Sequence, residues 1–337
     1  MDNLTHTLTA VAISQTGLNR KTRFATLTLI LAANAPDIDL LAGLKDSVTY
    51  LKYHRGITHS FIGITFLALI LWSVMYWAGK KVRPKPSLPL NSRWLLLAAF
   101  LGTTSHLLLD FTNAYGVRAF LPFSGRWYAW DVMPILDPLL LTLLILGLAV
   151  PWLLRLISEE VGARKPRWAP GAVFCLGAIV ALWGIRDFAH RRALSILDSR
   201  TYSGEAPQRF SALPVAVNPL TWTGVVETDT SFHVARVNAL DANGLPEEMG
   251  TFEKPQPSSA LAAAMKTRAG KIFLNFARFP WAQVDESEQG YLVSVRDLRF
   301  YHASAQSRGF TLEVELDKNL ETRSETFYFA APRRPGQ

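Results

Sequence analysis

Seven side chains of the kinds that bind divalent metals occur in apolar surroundings within the first third of the chain. They are His6, Asp37, Asp39, His54, His59, His106 and Asp110. The densest group is the segment His54-Arg55-Gly56-Ile57-Thr58-His59-Ser60, directly before the uncharged run from Phe61 to Ala78. That run is long enough for a membrane-spanning helix, where ionisable groups are costly unless they have a function. We therefore expect these side chains to converge on one site.

The donor types restrict the metal. His106 and Asp110 are four residues apart and share one face of a helix. His54 and His59 can face one pocket if His54 precedes the helix that His59 begins. The chain has one cysteine, Cys175, which excludes a cysteine-based site. Imidazole with carboxylate suits Zn²⁺, with Mn²⁺ or Fe²⁺ as alternatives, and the number of donors allows two or more ions.

A metal site of this composition predicts hydrolysis. Paired ions activate water and stabilise the oxygens of an in-line displacement at phosphorus. Asp39 and Asp110 are the predicted catalytic carboxylates. Arg55 could hold a phosphate through two hydrogen bonds, or could be a plain interface residue. Asp131 and Asp137 are further candidate ligands, although Asp137-Pro138 is also typical of a helix start.

The elements that must position these residues are membrane helices. Hydrophobic residues make up 49% of the 337 residues, and the long apolar runs lie before residue 190. We predict an α-helical multi-pass membrane domain, 1–190, with spans at 57–78, 94–110, about 135–154 and 168–188. The run 24–36, which ends at Pro36, is short for a span. Residues 111–133 are predicted to be an aromatic interface loop.

The charge distribution predicts the topology and excludes one class of partner. The net charge is +8, but the basic residues concentrate in the loops 18–23, 79–93 and 155–167, not on one surface. No nucleic-acid partner is therefore expected. The positive-inside rule places these loops in the cytoplasm and every candidate ligand on the opposite side. Arg191 and Arg192 oppose this assignment, because the same alternation of helices places these basic residues outside the cytoplasm.

Residues 191–337 predict a small β-rich α+β soluble domain on the extracytoplasmic side. The expected strands are rich in Val, Phe, Tyr and Thr: 221–239, 271–277, 291–301, 310–316 and 325–330. Ser258–Thr267 is the predicted helix of this domain. His190, His233 and His302 are scattered, and we interpret them as structural or surface residues.

The motifs of the first 155 residues resemble the YdjM/YbcI-like family of membrane-bound, metal-dependent hydrolases. The matching pieces occur in order: Asn3-Leu-Thr-His6, Asn34-Ala-Pro-Asp37-Ile-Asp39, His54-Arg-Gly-Ile-Thr-His59-Ser60, His106-x-x-x-Asp110 and Asp137-Pro138. The resemblance implies a multi-pass inner-membrane protein of bacteria with a hydrolase site.

A fainter likeness is to zinc-dependent phospholipases C and single-strand zinc nucleases. It implies His6, Asp39, His54, His106 and Asp110 as ligands, with Asp110 bridging two ions. The later histidines of those enzymes have no counterpart here, and only Asp131 and Asp137 could replace them. Asp37 and His59 receive no role from this likeness, and we keep them as ligands or as groups that orient ligands.

We expect an integral-membrane hydrolase that cleaves a phosphoester in a lipid or lipid-linked molecule at the extracytoplasmic surface. A membrane metalloprotease or amidase is an alternative, but the chain lacks a His-Glu-x-x-His helix. The second alternative is a protein that is not an enzyme: a metal-binding transporter, or a scaffold that displays the β domain. The oligomeric state is not predicted.

Overall fold

The computed structural model describes residues 1–82, 88–160, 170–241, 246–301 and 309–329. Its α-helices are α1 (Asn3–Gln15), α2 (Ala25–Asn34), α3 (Ser47–Tyr53), α4 (Phe61–Lys81), α5 (Ser92–Phe111), α6 (Pro138–Glu160), α7 (Pro170–Asp198), α8 (Ser259–Lys266) and α9 (Arg268–Phe276). Its strands are β1 (Arg209–Pro214), β2 (Thr221–Glu227), β3 (Ser231–Asn238), β4 (Glu247–Glu253), β5 (Pro280–Ser287), β6 (Gly290–Asp297), β7 (Thr311–Leu316) and β8 (Thr322–Tyr328). The predicted strand end at 330, His302 and the basic residues at 83–85 and 164–167 lie outside the described residues.

The chain divides into two compact units. The first comprises 1–39, 55–188 and 216–219, and the second comprises 40–54, 189–215 and 220–337. The change of unit near residue 189 lies close to the boundary that composition suggested. The segment 40–54, which contains α3, packs within the second unit.

Four helical segments of the described residues are long and apolar enough to cross a membrane. They are Ala25–Leu44, Phe61–Lys81, Ser92–Phe111 and Pro170–Asp198, while Pro138–Leu153 is a shorter apolar helix. The predicted number of spans is confirmed; three of the four correspond to predicted spans, and the fourth is the segment that begins at residue 25. The α-helix that begins at residue 25 ends at Asn34, close to Pro36, and a 3₁₀ helix, Ala35–Leu44, continues the segment. The predicted span at about 135–154 lies in α6, whose apolar part among the described residues is Pro138–Leu153.

One core cluster of the first unit forms where α1, α2 and α5 pack together. Ala10 of α1, Leu29 and Ala33 of α2, and Ala98 of α5 are buried in one cluster. These three alanines allow close approach between helix backbones, as is common in membrane proteins. Large apolar side chains point outward, among them Phe66 and Trp77 of α4, which are 62% and 60% exposed. This distribution is the one that a lipid environment favours.

The second unit contains two four-stranded antiparallel sheets, in the orders β1-β2-β3-β4 and β5-β6-β7-β8. Most predicted strands are confirmed, and so is the helix near residues 258–267. The predicted strand at 271–277 is wrong, because these residues belong to α9. Thr267 caps this helix, and Ala269, Gly270, Phe273 and Phe276 are buried with the spacing of one helix face.

Candidate metal centre

Four side chains of the first unit converge on one point. Asp37, His59, His106 and Asp110 each offer a donor atom, and these atoms lie within 4.8 Å of one another. Oδ2 of Asp110 is 3.3 Å from Nε2 of His59 and 3.4 Å from Nε2 of His106. Oδ1 of Asp37 is 3.5 Å from both nitrogens. Ligands of one tetrahedral zinc, each about 2.1 Å from the ion, are roughly 3.4 Å apart. The four donors therefore fit a single ion.

Close packing of α5 on α2 places two of the donors. His106 and Asp110 occupy successive turns of one face of α5, and both side chains are buried. Gly102, one turn earlier, lies directly against α2. A Cβ atom there would be 2.6 Å from Cβ of Ala32 and 2.8 Å from the carbonyl oxygen of Leu29. Only a residue without a side chain allows this approach.

The same approach fixes the orientation of His106. Its Nδ1 lies 2.7 Å from the carbonyl oxygen of Ala33, which can only accept a hydrogen bond. Nδ1 therefore carries the proton, and Nε2 presents its lone pair to the other donors. In metal-binding histidines, the ring nitrogen that does not bind the metal usually donates its hydrogen to a backbone carbonyl or a carboxylate.

Asp39 fixes His59 in the corresponding way. Oδ2 of Asp39 lies 3.1 Å from Nδ1 of His59, on the side of the ring away from the cluster. The same oxygen accepts hydrogen bonds from the backbone N–H of Arg55 at 2.8 Å and from Oγ1 of Thr58 at 3.0 Å. This arrangement favours the tautomer of His59 with its proton on Nδ1, which leaves the lone pair of Nε2 available to a metal ion. Asp39 thus contacts the site through His59.

The result is a group of lone pairs directed at one point, an arrangement that a positive charge would stabilise. The Nε2 atoms of His59 and His106 are 2.9 Å apart. With both Nδ1 atoms protonated, the two Nε2 lone pairs repel each other unless a cation lies between them. Oδ2 of Asp110 is buried and has no hydrogen-bond partner among the described residues. A buried carboxylate oxygen without a partner is costly, and a bound cation removes that cost.

Arg55 holds the other oxygen of Asp110. Its Nη2 donates to Oδ1 of Asp110 at 3.0 Å, and its Nη1 donates to Oδ1 of Asn113 at 2.8 Å and to the carbonyl oxygen of Gly116 at 3.3 Å. The guanidinium carbon also lies 4.8 Å from the ring centroid of Tyr115. The backbone of Arg55 is left-handed, with φ of 51°. Both terminal nitrogens are engaged by protein acceptors, so Arg55 positions Asp110, and its role in phosphate binding stays a prediction.

His6 lies beside this carboxylate but outside the group of four. Its ring stacks on His106 with centroids 3.9 Å apart, and its Nε2 is 3.5 Å from Oδ1 of Asp110. The amino nitrogen of Met1 contacts the same oxygen. Neither ring nitrogen of His6 has a hydrogen-bond partner among the described residues. Burial is the main cause that holds the pKa of His6 well below its ordinary value. The ring is therefore neutral, and one of its nitrogens offers a lone pair.

Three predicted ligands have other surroundings. His54 stacks on Tyr50 of α3, with ring centroids 4.6 Å apart, and belongs to the second unit. Asp137 caps α6 by accepting from the N–H of Leu140 at 2.8 Å, and its second oxygen lies 2.6 Å from Nη2 of Arg186. Asp131 is buried and has a left-handed backbone. None of the three joins the four-donor group, and their roles as ligands stay predictions.

Several residues that support the site were not singled out from the sequence. Thr58 and the carbonyl of Ala33 orient histidines, and Asn113 holds Arg55. Asn113 follows Asp110 by three residues, a spacing that could have marked it as the next turn of the same face. The role of Ala33 cannot be inferred from its residue type, because its backbone carbonyl makes the contact. Only the packing of α2 on α5 reveals it.

The neighbours of the donors in the chain are apolar and exposed. Leu4, Ile38, Ile57 and Phe61 flank His6, Asp37, Asp39 and His59, and each of the four is 47–56% exposed. Ionisable groups face inward here while apolar side chains face outward. This is the pattern of a functional polar site within a membrane protein.

Comparison with known proteins agrees with these features. Uncharacterized protein YfhP of Bacillus subtilis (strain 168) is 30% identical over 325 residues, which cover 94% of this chain and 88% of that protein. Residues 259–330 match the YfhP C-terminal alpha/beta plait domain, which corresponds to α8, α9 and the second sheet. No solved structure gave a significant match. Residues 1–193 match the YdjM inner membrane protein family and include every residue of the metal centre. The chain therefore belongs to the YdjM family of inner membrane proteins.

Proposed function

We propose that this protein is a metal-dependent hydrolase that cleaves a phosphoester in a lipid or lipid-linked substrate at the extracytoplasmic membrane surface. The observation that carries the proposal is the group of two imidazole nitrogens and two carboxylate oxygens with the spacing of one tetrahedral ion. Two nitrogens and two oxygens without thiolate favour Zn²⁺, and Mn²⁺ or Fe²⁺ are alternatives.

Each side chain has a definite role in this proposal. Asp37, His59, His106 and Asp110 would hold the ion. A divalent ion supplies Lewis acidity and a water of lowered pKa at the site. Asp39 keeps the His59 ring in the productive tautomer. Arg55 keeps Asp110 in place and balances part of its charge, so that the carboxylate does not rotate away. His6 is a neutral donor beside Oδ1 of Asp110, where it could support a second ion.

The surroundings of the donors support a lipid-like substrate. The exposed apolar residues Leu4, Ile38, Ile57 and Phe61 border segments that carry the ionisable groups. Such a border favours a molecule whose phosphate reaches the ion while its acyl or prenyl part stays among apolar side chains. A small water-soluble ester gains nothing from this border.

The distribution of basic residues supports the proposed side of the membrane. The donors lie near the carboxyl end of α5 and near the start of α4, whereas Lys80 and Lys81 end α4 and Arg93 opens α5. The positive-inside rule assigns the basic ends to the cytoplasm, which leaves the donor ends outside.

The test combines metal analysis with an activity assay. The double variant His106→Ala, Asp110→Ala should lose the bound metal and hydrolysis of phosphodiester and phospholipid reporters, while it still inserts into the membrane. Ser105→Ala, on the adjacent position of α5, is the control and should keep both. Chelation should abolish activity, and Zn²⁺, Mn²⁺ or Fe²⁺ added singly should restore it. Full metal content in the double variant, or undiminished activity after chelation, would refute the proposal.

A further inference from the structure

The loop that follows α5 is hydrogen-bonded to the segment that carries His59. The backbone N–H of Phe61, the first residue of α4, donates to the carbonyl oxygen of Ala119 at 2.9 Å. On the other side of His59, the N–H of Arg118 donates to the carbonyl oxygen of Arg55 at 3.3 Å. The helix that starts at Phe61 is long and apolar enough to cross a membrane. The loop therefore lies at the depth where this span begins.

The tip of this loop, residues 120–123, is apolar and exposes two phenylalanine rings. It belongs to the uncharged run 119–125, which has Arg118 before it and Arg126 after it. Phe120 is 46% exposed, and Phe123 is 85% exposed. The N–H of Phe123 donates to the carbonyl oxygen of Phe120 at 2.9 Å, so the two residues are joined in a tight turn. Both rings thus belong to one exposed apolar patch.

This patch continues an exposed face of α4. The rings of Phe120 and Phe61 pack edge to face, with centroids 5.3 Å apart. Phe61, Thr65 and Leu69 follow one another at the four-residue spacing of one helix face, and all three are exposed. Oγ1 of Thr65 donates to the carbonyl oxygen of Phe61 at 2.7 Å, which satisfies this hydroxyl within the helix. An apolar surface therefore runs from the span to the loop tip, and a surface of this kind indicates a membrane or protein contact.

Basic and aromatic side chains lie at the base of the tip. The guanidinium of Arg126 lies 5.5 Å from the ring centroid of Tyr128. That of Arg118 lies 4.8 Å from the ring centroid of Trp127. Tyr128 also packs edge to face on Phe120, with centroids 5.2 Å apart. Tyrosine and tryptophan are enriched at the level of lipid headgroups, and arginine is attracted to anionic headgroups. This order, apolar at the tip and basic-aromatic at the base, favours a bilayer over a protein partner.

We propose that the tip, residues 120–123, inserts into the acyl region of the leaflet on the side of the membrane where the metal-binding donors lie. Lipid covers this patch, because the patch is continuous with the surface of a membrane span and carries no charge. The insertion also holds the bonded segment 55–61, which includes His59, at the boundary between headgroups and acyl chains. This role of the tip does not depend on the proposed hydrolysis.

The experiment measures the depth of a nitrobenzoxadiazole label on single cysteines of the full-length protein in phosphatidylcholine–phosphatidylglycerol vesicles, with Cys175→Ser as background. The label on Phe123→Cys should emit at shorter wavelength than the label on Lys318→Cys, an exposed position of the second unit. Lipids with a nitroxide in the acyl chain should quench it as they quench a label on Phe66→Cys of α4. Arg126→Cys is the matched control, because Arg126 is an exposed residue of the same loop. Aqueous iodide should quench the label at Arg126 more strongly than the label at Phe123.

Two results would overturn the insertion. If iodide quenched the labels at Phe123 and Arg126 equally, the tip would lie outside the acyl region. If neither quencher reached the label at Phe123, protein and not lipid would cover the patch. Phe120→Cys tests the same patch at a second position, and unchanged elution of each labelled variant in detergent shows that it remains folded. Protein that shows acyl quenching at Phe123 but cleaves no ester would refute only the proposed function.

Discussion

Asp39 and His59 form a carboxylate–imidazole pair in which Oδ2 of the aspartate lies 3.1 Å from Nδ1 of the histidine. The carboxylate is therefore on the outer side of the ring, and the neighbouring Asp37 supplies the oxygen that faces Nε2. Two aspartates separated by one residue thus face different nitrogens of the same ring. One would bind the ion, and the other would orient a ligand.

This difference predicts distinct effects of two matched substitutions. Asp39→Asn should weaken metal affinity about 10–100-fold, as loss of a partner of a metal-binding histidine does, without removing a ligand. Asp37→Asn removes an anionic ligand and should lower affinity more. Competition with a chelator of known affinity measures both. Equal losses in the two variants, or a larger loss in Asp39→Asn, would contradict the assignment.

The contact between Gly102 and α2 predicts that the metal centre depends on helix packing. Gly102→Ala places a Cβ atom 2.6 Å from Cβ of Ala32 and should destabilise the first unit by about 1–3 kcal/mol. Metal affinity should fall as well, because His106 loses its alignment with the carbonyl of Ala33. Thermal unfolding in detergent and metal titration measure the two effects.

Gly177 of α7 provides the control for that experiment. A Cβ atom at Gly177 meets nothing within 4 Å. Gly177→Ala should therefore be neutral or stabilising by up to about 1 kcal/mol, through helix propensity. If both alanine variants behaved alike, close packing at Gly102 would not be what positions His106.

The sequence predicted much of the site because its donors are chemically conspicuous. Histidines and aspartates are rare in apolar runs, and the spacing of His106 and Asp110 identifies one helix face without a structure. The position of Asp37 relative to Asp39 could not be predicted. In a 3₁₀ helix that starts at Ala35, residues two apart point in different directions, whereas the sequence predicted only that Pro36 stops or bends the preceding helix.

The fold was predictable where composition decides it and not where packing does. The apolar runs gave the number of spans. The segment 271–277 contains Ile272, Phe273 and Phe276, which resemble a strand in isolation. Its helical state depends on the Thr267 cap and on burial of one helix face. The side-chain types alone do not distinguish such a helix from a strand.

The ion pair between Asp137 and Arg186 predicts a large stability effect. Both side chains are fully buried. Asp137→Asn keeps the cap on the N–H of Leu140 but leaves the guanidinium without a counter-charge, which should cost about 3–5 kcal/mol. The double variant Asp137→Asn, Arg186→Met should recover most of this cost. Unfolding free energies of the four proteins in the cycle provide the measurement, and an additive result would show that the pair is not coupled.

Tyr202 predicts a pH dependence of the second unit. Its hydroxyl donates to the carbonyl oxygen of Leu197 at 3.1 Å, and burial raises its pKa to about 12. The neutral form is thus favoured in the folded state. The contribution of neutral Tyr202 to the free energy of unfolding is complete below the unfolded pKa of about 10. It is lost as pH rises through the pKa of the folded state. The stability of the wild type should fall more steeply than that of Tyr202→Phe over this range. Parallel curves would contradict the prediction.

Sidedness can be tested with single cysteines and a membrane-impermeant maleimide. Cys175 is buried and its thiol donates to the carbonyl oxygen of Leu143 at 3.3 Å, so Cys175→Ser should be a tolerated background. Lys318→Cys reports on the second unit, and Lys81→Cys reports on the basic end of α4; both positions are exposed. In spheroplasts, Lys318→Cys should react at once, whereas Lys81→Cys should react only after permeabilisation. The positive-inside rule requires the result at Lys81, because the basic end of α4 and the donors at its start are on opposite sides. The result at Lys318 requires in addition that both α6 and α7 cross the membrane. The reverse order of labelling would place the metal centre in the cytoplasm and exclude a substrate in the outer leaflet.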